Sequence, residues 1–265
     1  IQPDFTDAFI NLGLTLRELG KLEEAAANHT QAVVLKPDSA EAHNNLGNTL
    51  KELGKLEEAL ASLGRALVLK PDYPEAHNNL GATLQELGRL EEAAASYTQV
   101  IALEPDSVEA YGNLGMTLQE LGRLGEAEAS YGQAIGLKTD YAAVYNNLGT
   151  ILQNQGRLEE ALTRYNEAIE LQVDYSQAYN NKNLCLNYSF NWSSLFIYQQ
   201  HLEFEKQFGG LEIRVPLMAK VNKDAVERLR IGYVSGDFKS HSVAYFFEPL
   251  LQHHNANVVE TFCYY

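Results

Sequence analysis

The chain has 265 residues, of which 45% are hydrophobic, so it can bury a core and is not a disordered chain. Its 35 acidic and 20 basic residues give a net charge of −15, a surface that repels phosphate backbones and excludes nucleic acid as a direct partner. The charge is uneven: residues 6–175 hold 26 acidic and 12 basic side chains, whereas residues 176–265 hold 8 of each. This distribution points to two modules, and to neutral or basic polypeptide as the partner of the acidic one. No apolar run approaches the ~20 residues of a membrane helix, and the N-terminus has no signal pattern. Cys185 and Cys263 stand far apart without metal-ligand spacing. A cytoplasmic, reducing location without membrane contact is therefore expected.

Taken from the N-terminus, the chain repeats itself. Gly13, Gly47, Gly81, Gly115 and Gly149 recur every 34 residues, as do Gly20, Gly54, Gly88, Gly122 and Gly156. Ala25, Ala59, Ala93, Ala127 and Ala161 keep the same step, and so do Pro37, Pro71 and Pro105. This pattern resembles the tetratricopeptide family, whose unit is a helix-turn-helix. The resemblance covers residues 1–190 and implies a mainly α fold, a right-handed superhelical solenoid. Five full units run 6–39, 40–73, 74–107, 108–141 and 142–175, with a partial sixth from Ser176. Pro3-Asp4 matches Pro37-Asp38, so the array is expected to extend upstream.

Each recurring residue has a physical role. Asp38, Asp72 and Asp106, with Glu41, Glu75 and Glu109 three residues on, have capping-box spacing. The glycine of each Leu-Gly-Lys/Arg turn suits a left-handed helix end. The small first-helix glycine and second-helix alanine allow close approach, with Leu12, Leu46, Leu80, Leu114 and Leu148 expected to pack between. Tyr97, Tyr131 and Tyr165 share a slot with His29 and Leu63 and read as packing between helices. His43 and His77 read as fillers of aromatic size.

In this family the first helix of each unit lines the concave surface. Asparagine occupies one position there six times, as Asn11, Asn45, Asn79, Asn113, Asn147 and Asn181, and a preceding asparagine joins it at Asn44, Asn78, Asn146 and Asn180. Asparagine is a mediocre helix former, so the repetition needs a reason. A side-chain amide offers both donor and acceptor, so a ladder of them can hold an extended peptide by its backbone. The alternative is that the amides bond the neighbouring helix or water. A clamp for a C-terminal carboxylate is disfavoured, because Glu41, Asn44, Asn48, Glu75, Asn78 and Glu109 stand where cations would be needed.

Beyond Ala178 the repeat decays. Residues 193–208 read as an amphipathic capping helix, so that 191–227 form a cap and connector. Leu229 to Val234 reads as a strand, 235–240 as a loop, 242–253 as a helix and Val258 to Tyr265 as a second strand. That order opens a parallel α/β sheet, giving a short C-terminal α/β fragment over 228–265. Arg228 to Ser235, then Asp237-Phe238, His241 and Ser242 to Phe246, resemble the start of the catalytic region of O-GlcNAc transferase and SPINDLY-like glycosyltransferases. The resemblance implies that His241 and Asp237 match catalytic-loop residues. It also implies a parent enzyme that moves sugar from a nucleotide donor to Ser or Thr of a protein. The donor-binding lobe comes later in that family, so this chain is expected to hold no cofactor and to be inactive alone. Its expected partners are disordered Ser/Thr-containing segments, with self-association through the repeat end or the C-terminal fragment. A non-enzymatic scaffold is the alternative function.

Overall fold

The computed structural model describes residues 5–188, 191–208, 229–234 and 259–264. It divides into two compact units, Ile1–Gly210 and Leu211–Tyr265. The first is helical throughout its described residues. Helix pairs follow one another as α1 (Phe5–Glu18) and α2 (Leu22–Leu35), α3 (Ala40–Glu52) and α4 (Leu56–Leu69), then α5 (Pro74–Glu86) and α6 (Leu90–Leu103). Next come α7 (Val108–Glu120) and α8 (Leu124–Leu137), then α9 (Ala142–Asn154) and α10 (Leu158–Leu171). The half-unit α11 (Ser176–Tyr188) and the closing helix α12 (Ser194–Phe208) complete the stack. No helix among the described residues is long and apolar enough to cross a membrane.

The helix ends follow from local chemistry. Gly20, Gly54, Gly88, Gly122 and Gly156 all take φ between 72° and 76°, the left-handed region that a side chain resists. In the second unit Lys55 N donates to Leu50 O at 2.9 Å and Gly54 N to Lys51 O at 2.8 Å, a Schellman closure. The starts correct the expectation of aspartate caps. Ser39 Oγ accepts from Ala42 N at 3.2 Å and Ser107 Oγ from Ala110 N at 3.4 Å, so serine caps α3 and α7. The Pro-Asp pair lies in the turn before, where Ser39 N donates to Lys36 O at 3.0 Å and delays the helix by one residue. Helix α5 has Tyr73 at this position, without a side-chain cap, and opens on Pro74, whose missing N–H costs nothing there.

Within each unit the two helices meet at a notch. A Cβ on Gly81 would stand 2.8 Å from the Tyr97 ring, and one on Gly115 or Gly149 would stand 2.6 Å from Tyr131 or Tyr165. Leu63 fills the same notch over Gly47, and His29 fills it over Gly13. All five second-helix residues are buried, which bears out their reading as packing. Leu12 is exposed while Leu148 is buried and the equivalents between are half-buried, because nothing among the described residues stacks outside α1. His43 and His77 also bond: their Nε2 atoms lie 3.1 and 2.9 Å from the carbonyls of Pro37 and Pro71, tying the connecting turn to the next helix. Inward-facing Phe196 and Ile197 of α12 pack on the core cluster, and Phe208 meets Tyr179 edge-on at 5.2 Å.

In the second unit, β1 (Leu229–Val234) pairs in parallel with β2 (Val259–Tyr264), Leu229 opposite Val259. Parallel neighbours require a crossover of a dozen or more residues, which agrees with the strand, helix, strand order read from the sequence. The intervening helix, the connector over 209–227, and both His241 and Asp237 lie outside the described residues.

Two outcomes follow for stability. Gly81→Ala should lose about 1–3 kcal/mol by overpacking against Tyr97, whereas Gly64→Ala, inside α4 with nothing within 4 Å of its Cβ, should gain about 0.5–1 kcal/mol. Chemical denaturation of the two variants checks the contrast. His29 is fully buried, and its Nδ1 lies 3.0 Å from Thr49 Oγ1, whose own hydrogen goes to Asn45 O. The ring is therefore neutral with the proton on Nδ1, and Nε2 is left without a partner. Burial lowers its pKa below 6.5; the nearby Ile10 backbone offsets this in part, and the Arg17 charge adds to it. A histidine with a lowered folded pKa destabilises once the unfolded chain binds the proton first. Protection of α1 and α2 should be full above about pH 6.5 and fall below it. Amide exchange at pH 7.5 and 5.5 should show this loss in the wild type and not in His29→Leu, which copies the second unit.

Candidate peptide-binding face

The first helices of units two to four line a groove of about 620 Å³. Asn48, Lys51 and Glu52 enter from α3, Asn78, Asn79, Ala82, Gln85 and Glu86 from α5, and Glu109, Asn113, Met116 and Glu120 from α7. Successive lining positions lie 34 residues apart because the first helices stack in register. One lysine against four carboxylates makes the groove acidic. Among the described residues no cluster of His, Cys, Asp or Glu is arranged to hold a metal.

The asparagines separate into two rows with different work. The first row is consumed within the stack. Asn44 Nδ2 donates to Glu75 Oε1 at 2.9 Å, and Asn78 Nδ2 to Glu109 Oε1 at 3.2 Å, each reaching into the following unit. Their Oδ1 atoms accept from the second row of that unit: Asn79 to Asn44 at 3.0 Å and Asn113 to Asn78 at 3.2 Å. Asn181 repeats this with Asn146 at 2.9 Å. Asn44 and Asn146 are accordingly buried, while Asn180 is exposed. Tyr73, wedged beside Asn44, has its pKa raised to about 12 by burial and then by the charges of Glu75 and Glu41.

The second row spends at most one N–H on its neighbour. An amide nitrogen carries two hydrogens and the oxygen two lone pairs. Asn79 and Asn113 thus each keep one N–H and the Oδ1 acceptor, and both line the groove. Asn45 and Asn79 are buried, Asn113, Asn147 and Asn181 are half-buried, and Asn11 is exposed. The run is interrupted once. Gly112 stands in the first-row slot of the fourth unit, so Asn147 has no rung behind it and instead accepts from Asn146 Nδ2 at 3.3 Å.

Sequence profiles of the TPR or tetratricopeptide repeat match residues 13–54 and 47–88 in one form, and 72–140 and 106–172 in another. The chain belongs to the tetratricopeptide-repeat family. No curated protein matches it in sequence comparison. Its solenoid is similar to the crystal structure of YrrB, a TPR protein with an unusual peptide-binding site, at a TM-score of 0.58 and 24% identity over 68% of this chain and 93% of that one. It is also similar to Pseudomonas aeruginosa pilF, at a TM-score of 0.66 and 20% identity over 78% and 93% of the two chains. MamA from residue 41 to its end, from Desulfovibrio magneticus RS-1, follows at 0.61 and 20% over 66% and 99%. At these identities the likeness is one of fold.

In this tetratricopeptide stack, sequence periodicity located both asparagine rows but not their division of labour. It also passed over Glu52, Glu86 and Glu120, which line the groove and recur every 34 residues in Leu-x-Glu-Leu-Gly. Asn44→Ala should cost about 1–3 kcal/mol, since it strands the Asn79 amide and Glu75. Asn45→Ala, whose side chain makes no hydrogen bond, should stay within about 0.5 kcal/mol. Urea unfolding of the two single variants measures the difference.

Proposed function

We propose that the concave groove binds extended polypeptide by its backbone, with Asn11, Asn45, Asn79, Asn113, Asn147 and Asn181 as the reading row. The observation that carries this reading is the spare donor and acceptor on second-row amides that line the groove. A peptide group needs both, and reading it this way is indifferent to side chain. Asn44 and Asn78 serve the reading row by fixing the amides behind it. The peptide-binding site of the structurally similar YrrB is in keeping with this use of the fold.

We further propose that the groove is the substrate arm of a protein O-glycosyltransferase acting on disordered Ser/Thr segments. Support comes from the wording of residues 228–246, whose catalytic-loop matches are His241 and Asp237, and from the parallel pairing of β1 with β2. The nucleotide sugar would be a substrate of the parent enzyme.

Labelled Ser/Thr-containing peptides of varied sequence, titrated into wild type and into Asn45→Ala/Asn79→Ala/Asn113→Ala, test the first proposal. Weak, broad binding that drops at least fivefold in the variant, with helicity retained, is expected. Equal binding by both proteins would mean that the reading row is filler. A donor-binding lobe encoded downstream of Tyr265 is the expected finding for the second proposal, and its absence would leave a scaffold without transferase activity.

A further inference from the structure

Two rows of glutamate run along the concave helices, and they differ in availability. The first-turn row is occupied: Glu75 and Glu109 accept from Asn44 and Asn78 of the unit before. The last-turn row, Glu52, Glu86 and Glu120, is exposed at the groove. Glu86 makes no ion pair, Glu52 only meets Arg17 at 3.8 Å, and Glu120 receives one hydrogen bond, from Gln85 at 2.9 Å. Each is the final residue of its helix, and neither α5 nor α7 has a basic residue in its last turn. A carboxylate there faces the negative end of the helix dipole, which disfavours it. Three consecutive units repeat a locally unfavourable choice at a single spacing.

Charge alone would not make this a site. A second observation lies in the same groove: Asn79 lines it, its Nδ2 held by Asn44 and its Oδ1 accepting no hydrogen bond from the protein. An acceptor left open at a groove is available to a donor that a ligand supplies. An apolar seat at Ala82 and Met116 lies among these polar groups.

We infer that the groove selects cationic segments, with Glu52, Glu86 and Glu120 as specificity-determining residues that read a Lys or Arg at about every third position. The inference rests on the peptide-binding reading and adds the chemical class of the ligand. The spacing comes from two lengths. Stacked helices stand about 8–10 Å apart, and an extended chain rises about 3.3 Å per residue. One unit therefore corresponds to about three ligand residues. A ladder of amides fixes the backbone, and one carboxylate per unit then sets the register.

Four labelled ten-residue peptides in a Gly/Ser/Ala background test this: lysine at every third position, the same lysines contiguous, glutamate at every third position, and neutral. In fluorescence anisotropy with the intact chain, the periodic lysine peptide should bind at least tenfold tighter than the neutral one and threefold tighter than the contiguous one. That preference should shrink with added salt. It should vanish in Glu52→Gln/Glu86→Gln/Glu120→Gln and persist in Glu23→Gln/Glu58→Gln/Glu170→Gln, which removes equal charge from second helices. Equal binding of periodic and neutral peptides would overturn the selectivity and leave backbone reading intact. Equal binding of periodic and contiguous peptides, or an equal loss in both triple variants, would overturn the spacing and the assigned residues. Failure of all four peptides to bind would overturn the selectivity and the peptide-binding reading together.

Discussion

A ring or leucine from each second helix sits where the first helix carries no Cβ, and the rest of the stack is arranged around that seat. Tyr97 over Gly81 and Tyr131 over Gly115 bring their helices close enough that no methyl fits between. The close approach fixes the rotation of the first helix about its axis. That rotation sends the asparagine rows and the terminal glutamates to one side and the capping serines to the turn. Protein interiors are packed too tightly for the notch to drift, so groove chemistry inherits its register from a purely steric contact.

The seams between units use a different force. Amide-to-amide bonds link Asn44, Asn78 and Asn146 forward, and amide-to-carboxylate bonds add to the first two, in a partly buried setting where an unmet polar group is costly. Exposed ion pairs add another layer: Arg123 spans Glu91 and Glu126, and Arg157 spans Glu128 and Glu160. Their exposure to solvent screens each of them strongly. Steric fit thus shapes the unit, while directional hydrogen bonds set how units follow one another.

The steric part was readable from residue identity. Glycines recurring at 34 residues marked both the notch and the left-handed turn, and both are where the period puts them. The cap was misplaced by one residue because the sequence offers Asp38 and Ser39 side by side, and a turn bond from Ser39 N to Lys36 O decides between them. The pairing of asparagines was less accessible. Asn44 with Asn79, and Asn78 with Asn113, lie 35 residues apart, so a comparison made at a period of 34 aligns equivalent residues and never the ones that touch. The first row bonds the neighbouring helix, and the second row keeps a donor and an acceptor open at the groove.

The gap at Gly112 gives one seam a character of its own. Where the second, third, fifth and sixth units present an amide, a Cβ here would meet only Val144 and Tyr141 at 3.8 and 3.9 Å. The largest apolar cluster runs straight through this seam, from Leu118 and Tyr131 to Val144 and Leu148. Hydrophobic contact weakens on cooling because it is driven by the entropy of water. The joint between the fourth and fifth units keeps the bonds of Arg157 and Gln155 to Glu128 but has no asparagine rung, so more of it leans on an interaction that fades in the cold. A single glycine thus lends the array a thermal grain, a matter of one missing rung at one joint.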